Sequence, residues 1–176
     1  IAAIMLTALS GPMAAGEPRI TAEGTLIPGS LRVGEFAVLQ VSIRIPDGFH
    51  LYSLTRIKAG PMPLTIAPDA PWLTPESFWF GPKPRTVFDD AFEKNVEYHD
   101  GTAVFQRVFR LSDAPVGDAV FSIRIRGQIC DETTCHTQNI TVQIQTAIQP
   151  GAPRQQHLQP PGTSGESYPE DRVPGP

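Results

Sequence analysis

The stretch that decides the fold is FSIRIRGQICDETTCHTQNITVQI, residues 121–144. Apolar residues alternate with other residues on both sides of the two cysteines, at Phe121, Ile123, Ile125 and Ile129, and again at Ile140, Val142 and Ile144. This period of two on both flanks of a short polar loop predicts a β-hairpin with one buried face. Because Gly127 interrupts the first run, we expect a β-bulge there.

Cys130 and Cys135 are the only cysteines of the chain, and they lie at the two ends of the hairpin loop. The hairpin brings the two thiols close enough to oxidise. So small a ring gains little loop-closure entropy, and strained or exposed disulfides tend to be the ones that exchange. This favours a redox pair. The alternatives are a structural staple and half of a metal site, completed by His136 and by His50 or His99.

Composition and charge limit the class of protein. At 176 residues and 40% hydrophobic content, the chain suits one domain with tails. Its net charge is −4 and no basic stripe is present, so nucleic acid is not expected as a partner. Residues 1–15 are apolar, too short to cross a bilayer and end in small residues. They indicate the remnant of a signal peptide and an exported, disulfide-permissive location.

Short alternating runs divided by Pro/Gly turns predict an all-β sandwich over residues 20–148. Residues 67–85 are dense in Pro and Gly, which predicts a loop or short edge strands, and residues 88–98 lack a period, which predicts a second loop. From residue 149 to residue 176, Pro, Gly, Gln and Ser replace the aliphatic residues. That composition predicts a disordered linker or tail.

Three separated stretches resemble the N-terminal periplasmic domain of the thiol:disulfide interchange protein DsbD. They are IPDGFHLY at residues 45–52, Asp90-Ala91-Phe92 followed by Lys94, Glu97 and Tyr98, and the segment from Gln128 to Cys135 with the strand after it. Their order is preserved, and the resemblance covers most of residues 30–148. It implies an immunoglobulin-like β-sandwich with a redox cysteine hairpin at one end.

The resemblance also implies a function, that of a periplasmic protein-disulfide reductase module. Cys130 and Cys135 would be the catalytic pair, and neither a cofactor nor a metal is expected. A thioredoxin-like domain would donate two electrons that come from a membrane-embedded electron-transfer domain of the full-length protein. The acceptors would be periplasmic disulfide isomerases or the thiol proteins of cytochrome c maturation.

Five further residues are candidates for supporting roles. By resemblance, Phe92 would cover the disulfide, Asp90 would accept or give a proton, and Tyr52 belongs to the matching aromatic strand. His50 and His136 are candidates because an imidazolium stabilises a neighbouring thiolate. The alternative function is a secreted immunoglobulin-like binding or assembly module in which the disulfide only staples the hairpin.

Overall fold

A computed structural model describes residues 16–175 as two packed β-sheets. The strands are β1 (Thr21–Ile27), β2 (Ser30–Leu31), β3 (Phe36–Arg44), β4 (His50–Tyr52), β5 (Thr65–Asp69), β6 (Leu73–Pro75), β7 (Trp79–Gly81), β8 (Arg85–Asp89), β9 (Lys94–His99), β10 (Thr102–Leu111), β11 (Gly117–Cys130), β12 (Cys135–Ile148) and β13 (Glu166–Tyr168). One 3₁₀ turn, Gln155–His157, is the only helical element in this range. The predicted all-β sandwich is confirmed.

The two sheets enclose one hydrophobic core. The first sheet has the order β1-β3-β10-β7-β13 with β6 added to β10, and the second has the order β2-β12-β11-β4-β9-β8 with β5 added to β11. Alternate side chains of the long strands point between the sheets, which is why the sequence shows a period of two. The fully buried ones include Val41, Ile43, Phe105, Ile123 and Ile125.

The predicted signal-peptide remnant, residues 1–15, lies outside the described residues. Within residues 16–175, none of the helical structure is long and apolar enough to cross a membrane.

Strands β11 and β12 form one hairpin that runs the length of the second sheet. Their register is continuous from the pair Gly117↔Ile148 to the pair Cys130↔Cys135. The β-bulge expected at Gly127 is therefore wrong, since Gly127 pairs directly with Gln138. A Cβ atom at residue 127 would lie 3.1 Å from Leu51 Cδ1, so glycine serves here to let the β4 side chain approach the backbone.

The loop expected over residues 88–98 is also wrong, because β8 and β9 form a hairpin with the register Asp89↔Lys94. Alternation fails there because β8 is the last strand of its sheet and exposes Val87 and Phe88. In β9, the consecutive residues Val96 and Glu97 are both buried. Strands with such burial patterns lack the polar and apolar alternation on which sequence-based assignment depends.

Residues 149–175, called the C-terminal segment below, lie against the sandwich, whereas their composition predicts a disordered tail. Its strand β13 pairs with β7, and its two arginines meet buried glutamates of the sandwich. The Arg154 side chain donates hydrogen bonds to Glu35, which is completely buried, and these bonds lower the pKa of Glu35 to about 2. Arg172 contacts Glu97 in the same way.

Candidate functional site

A disulfide joins Cys130 and Cys135 at the tip of the β11–β12 hairpin. The Cα atoms of the two residues are 4.1 Å apart because the cysteines are direct partners in the register. Asp131 Oδ1 closes the loop by accepting hydrogen bonds from the N–H groups of Thr133 (2.8 Å) and Thr134 (2.7 Å). These bonds lower the pKa of Asp131, so a negative charge stands beside the disulfide at neutral pH.

The two cysteines differ in their access to solvent. Only 2% of the Cys130 surface is exposed, whereas Cys135 is an exposed residue. Cys130 forms a small apolar cluster with Tyr52 and Val96, and the half-buried side chain of Phe92 packs against this cluster. A reagent in solution can therefore reach Cys135 while Cys130 stays covered.

Hydrogen bonds to Asp89 hold the loop that carries Phe92 against the sandwich. One oxygen of Asp89 accepts hydrogen bonds from the N–H groups of Ala91 (2.9 Å) and Phe92 (3.3 Å). Its other oxygen accepts a hydrogen bond from the Tyr52 hydroxyl (3.1 Å). The resemblance implies Asp90 at the acidic position, but the structure brings Asp89 into contact with Tyr52 and leaves Asp90 exposed.

Tyr52 links this loop to the cysteine cluster. Its ring is 4% exposed and lies edge-on to the Phe92 ring, with 6.3 Å between the centroids. Burial, and then the hydrogen bond to Asp89, raises the pKa of Tyr52 to about 12. The hydroxyl thus keeps its proton at neutral pH and keeps donating it to Asp89.

The two histidines named from the sequence lie on different sides of the sheet. His50 is the strand partner of Cys130, and burial lowers the pKa of His50, an effect that nearby carboxylates partly offset. The imidazole is therefore less often charged than an ordinary histidine near pH 7. His136 points away from the face that carries the Cys135 side chain, because neighbouring strand residues alternate. Its ring lies 6.1 Å from that of Phe49.

The ligands suggested for a metal site are dispersed. His99 is 4% exposed and lies in the core, with its ring centroid 5.4 Å from that of Phe105. Burial lowers the pKa of His99 to about 4. Among residues 16–175, no group of three or more His, Cys, Asp or Glu side chains is gathered in a way that would hold a metal ion.

In a Cys135→Ser background, replacing Asp89 with alanine is expected to make the covered Cys130 thiol easier to reach. The Phe92 loop loses its hydrogen bonds to Asp89 and the buried Tyr52 hydroxyl loses its acceptor, which lowers the stability of the closed loop by about 1 kcal/mol or more. A loss of that size corresponds to roughly fivefold faster alkylation of Cys130 by iodoacetamide, because the loop must open before the reagent reaches the thiol. Asp90→Ala, which removes an exposed neighbouring carboxylate, is the control. Equal alkylation rates for the two variants would rule out a role of Asp89 in holding the loop.

Comparison with known proteins shows the fold but no family. No protein-family model and no curated protein sequence matches the chain. The structure of the N-terminal periplasmic domain of ScsB from Proteus mirabilis aligns with 75% of this chain at 11% identity and a TM-score of 0.52. The Neisseria meningitidis DsbD N-terminal domain, in its reduced form, aligns with 66% of this chain and 82% of its own length, at 18% identity and a TM-score of 0.39.

The alignment with the ScsB domain covers 48% of that structure, so this chain spans about half its length. At that identity, the likeness establishes the arrangement of strands and nothing about chemistry. The chain therefore shares the sandwich fold of the ScsB N-terminal periplasmic domain, and it carries a disulfide at the tip of its longest hairpin.

Proposed function

We propose that this protein is a periplasmic thiol:disulfide exchange module, which carries electrons through a reversible Cys130–Cys135 disulfide to thioredoxin-like partner proteins. The observation that carries the proposal is the position of the disulfide, which has one exposed and one buried cysteine at a hairpin tip. The backbone register already holds the two residues together, so the bond adds little loop-closure stabilisation. A disulfide in this position is better suited to thiol exchange than to stabilising the fold.

The exchange divides into two steps that balance in atoms and electrons. A thiolate of the reduced electron donor attacks Cys135 Sγ, a new disulfide forms between them, and the Cys130–Cys135 bond breaks with Cys130 leaving as a thiolate. The second thiolate of the donor then attacks the donor sulfur of this mixed disulfide and releases Cys135, so the donor is oxidised by two electrons and Cys130 and Cys135 take up two protons from water. Delivery runs the same steps in reverse: the Cys135 thiolate attacks the disulfide of an oxidised acceptor, and Cys130 then attacks Cys135, which releases the acceptor reduced by two electrons and restores the Cys130–Cys135 disulfide.

Access determines which sulfur is attacked. The attacking thiolate approaches in line with the disulfide, from the side opposite the leaving sulfur. Cys135 is exposed, whereas Cys130 is surrounded by Tyr52, Val96 and the Phe92 loop, so Cys135 is the sulfur that a partner reaches. The negative charge of Asp131 disfavours a thiolate nearby, so the reduced pair resists reaction with bystander disulfides.

The fold and the disulfide also support a location and a set of partners. The structural neighbour is named as a periplasmic domain, and disulfides persist in that compartment. The proposed electron donor is a thioredoxin-like domain supplied by a membrane electron-transfer domain. The proposed acceptors are a periplasmic disulfide isomerase or the thiol proteins of cytochrome c maturation.

An equilibrium titration tests this function. The oxidised protein is incubated with a reduced and oxidised thioredoxin couple at graded ratios, and the fraction of free Cys130 and Cys135 is measured after acid quenching. We expect a reduction potential above about −300 mV, the range of exchanging rather than structural disulfides. A lower potential, with a large fall in melting temperature on reduction, would instead identify the staple of a binding module.

A further inference from the structure

The strand that carries Cys135 has an edge without a strand partner over most of its length. Strand β12 pairs with β11 along its whole length, and within the described range its other side pairs only with β2, at residues 147 and 148. Strand β1 packs beside the later part of β12 without pairing with it, so the edge is open only near Cys135. From Cys135 to Gln145, alternate backbone N–H and C=O groups on that side have no strand partner in residues 16–175. Such an edge binds an extended peptide by adding a strand.

A groove follows the first part of this edge. It has a volume of about 360 Å³, and its walls are residues 17–19 on one side and residues 135–140 on the other. The Gln138 side chain sets the width by accepting a hydrogen bond from the N–H of Ile20 (3.0 Å) and donating one to the carbonyl of Pro18 (3.2 Å). Residues 17–20 are thereby held beside β12 without pairing with it as a strand.

Cys135 is one of the residues that line this groove, at its end nearest the hairpin tip. We propose that the groove binds the extended segment of a partner that flanks its reactive cysteine, with the backbone of that segment paired to β12. The inference rests on the proposed function and adds where the partner binds. The lining is mostly polar and carries Glu17 and Arg19, so it suits a peptide backbone with polar side chains better than an apolar ligand.

Pairing with β12 would place the partner's sulfur at Cys135 while the rest of its segment is held by hydrogen bonds. Binding of the flanking residues makes the sulfur–sulfur attack effectively unimolecular, which raises the rate for a peptide thiol but not for a small thiol. The electron and proton balance is that of the first exchange step, with the peptide as attacking thiolate. The groove therefore favours partners whose reactive cysteine lies in an extended segment that can pair with β12.

The test compares two thiols, glutathione and a synthetic octapeptide with one central cysteine and polar neighbours. Each thiol is added to the full chain with Cys130 replaced by serine and thionitrobenzoate attached to Cys135, so that no internal thiol can reverse the attack. The initial rate of thionitrobenzoate release is measured, and the peptide-to-glutathione ratio is the readout. We expect a ratio well above one for the wild-type groove and about a tenfold lower ratio for Asn139→Trp, which fills the groove. Thr141→Trp lies on the same exposed face, outside the groove, and should keep the wild-type ratio.

A second variant covers the case in which Asn139→Trp does not fold. The double substitution Glu17→Ala and Arg19→Ala removes one wall of the groove outside any strand and should also lower the ratio. Ratios near one for the wild-type groove, or equal ratios for all variants, would overturn the inference while leaving the exchange function intact. A Cys130–Cys135 disulfide that the reduced thioredoxin couple cannot open would instead contradict the function itself.

Discussion

Replacing Cys130 with serine is expected to give a protein that traps its partner, whereas Cys135→Ser is expected to give one that does not react. In the Cys130→Ser variant the remaining thiol belongs to the exposed Cys135, and no second thiol is present to break the mixed disulfide. In Cys135→Ser the remaining thiol lies in the cluster of Tyr52 and Val96, with Phe92 packed against it. Burial of this kind keeps the sulfur of another protein from reaching the thiol.

The measurement uses a thioredoxin-like partner whose cysteine carries a thionitrobenzoate group. Attack by Cys135 forms the protein–partner disulfide and releases thionitrobenzoate, which absorbs visible light. We expect release to be at least on the order of tenfold faster for Cys130→Ser than for Cys135→Ser. Both variants should lose all catalytic turnover. Equal rates for the two would show that access does not choose the sulfur, and faster release from Cys135→Ser would reverse the assignment.

The second large effect is expected from Arg172→Met, in the free energy of unfolding. Glu97 is 2% exposed, and Arg172 Nη2 lies 3.1 Å from its Oε1. Thr55 also donates a hydrogen bond to this carboxylate. Burial raises the pKa of Glu97, but the hydrogen bonds from Arg172 and Thr55 outweigh burial and lower it. Removing the arginine leaves a buried charge without its partner, which costs about 3–5 kcal/mol.

Urea unfolding at neutral pH measures this cost. Arg110→Met is the matched control, because the Arg110–Glu76 pair is half-exposed and such pairs contribute only about 0–1 kcal/mol. The wild type loses stability as the pH falls and Glu97 is protonated, whereas the unpaired Glu97 of the variant is destabilising only while ionised. Without Arg172, burial raises the pKa of Glu97 in the variant, so the difference between the two proteins should begin to shrink above pH 4.5, the ordinary pKa of a glutamate, and continue to shrink below it as the wild-type Glu97 is protonated. Equal losses for Arg172→Met and Arg110→Met would show that the C-terminal segment contributes little.

The sequence predicts the parts of this structure that depend on local periodicity. The alternation before Cys130 and after Cys135 is enough to place the hairpin and to bring the two sulfurs together. Prediction from periodicity fails where burial does not alternate, as in β8 and β9. It also fails where a segment is stabilised by residues far away in the chain. The partners Glu35 and Arg154 are 119 positions apart, so no local pattern points to their contact.

The sequence does not show which of two aspartates holds the Phe92 loop. Asp89 and Asp90 are neighbours with the same side chain, and composition does not separate them. The β8–β9 register decides between them, because it makes Asp89 the last paired residue before the turn. From there, its carboxylate reaches both the turn N–H groups and Tyr52. The choice between the two aspartates thus depends on the β8–β9 hairpin, where the sequence predicts a loop.

The unbroken register of the β11–β12 hairpin has a consequence for the lifetime of any foreign adduct. When a bystander thiol such as glutathione becomes attached to Cys135, the hairpin register keeps residues 130 and 135 as direct partners, with their Cα atoms 4.1 Å apart in the oxidised protein. Well-oriented internal nucleophiles act at effective molarities that reach about 10⁵ M or more, far above any thiol in solution. We therefore expect Cys130 to displace the adduct, which releases glutathione and restores the Cys130–Cys135 disulfide before adducts accumulate.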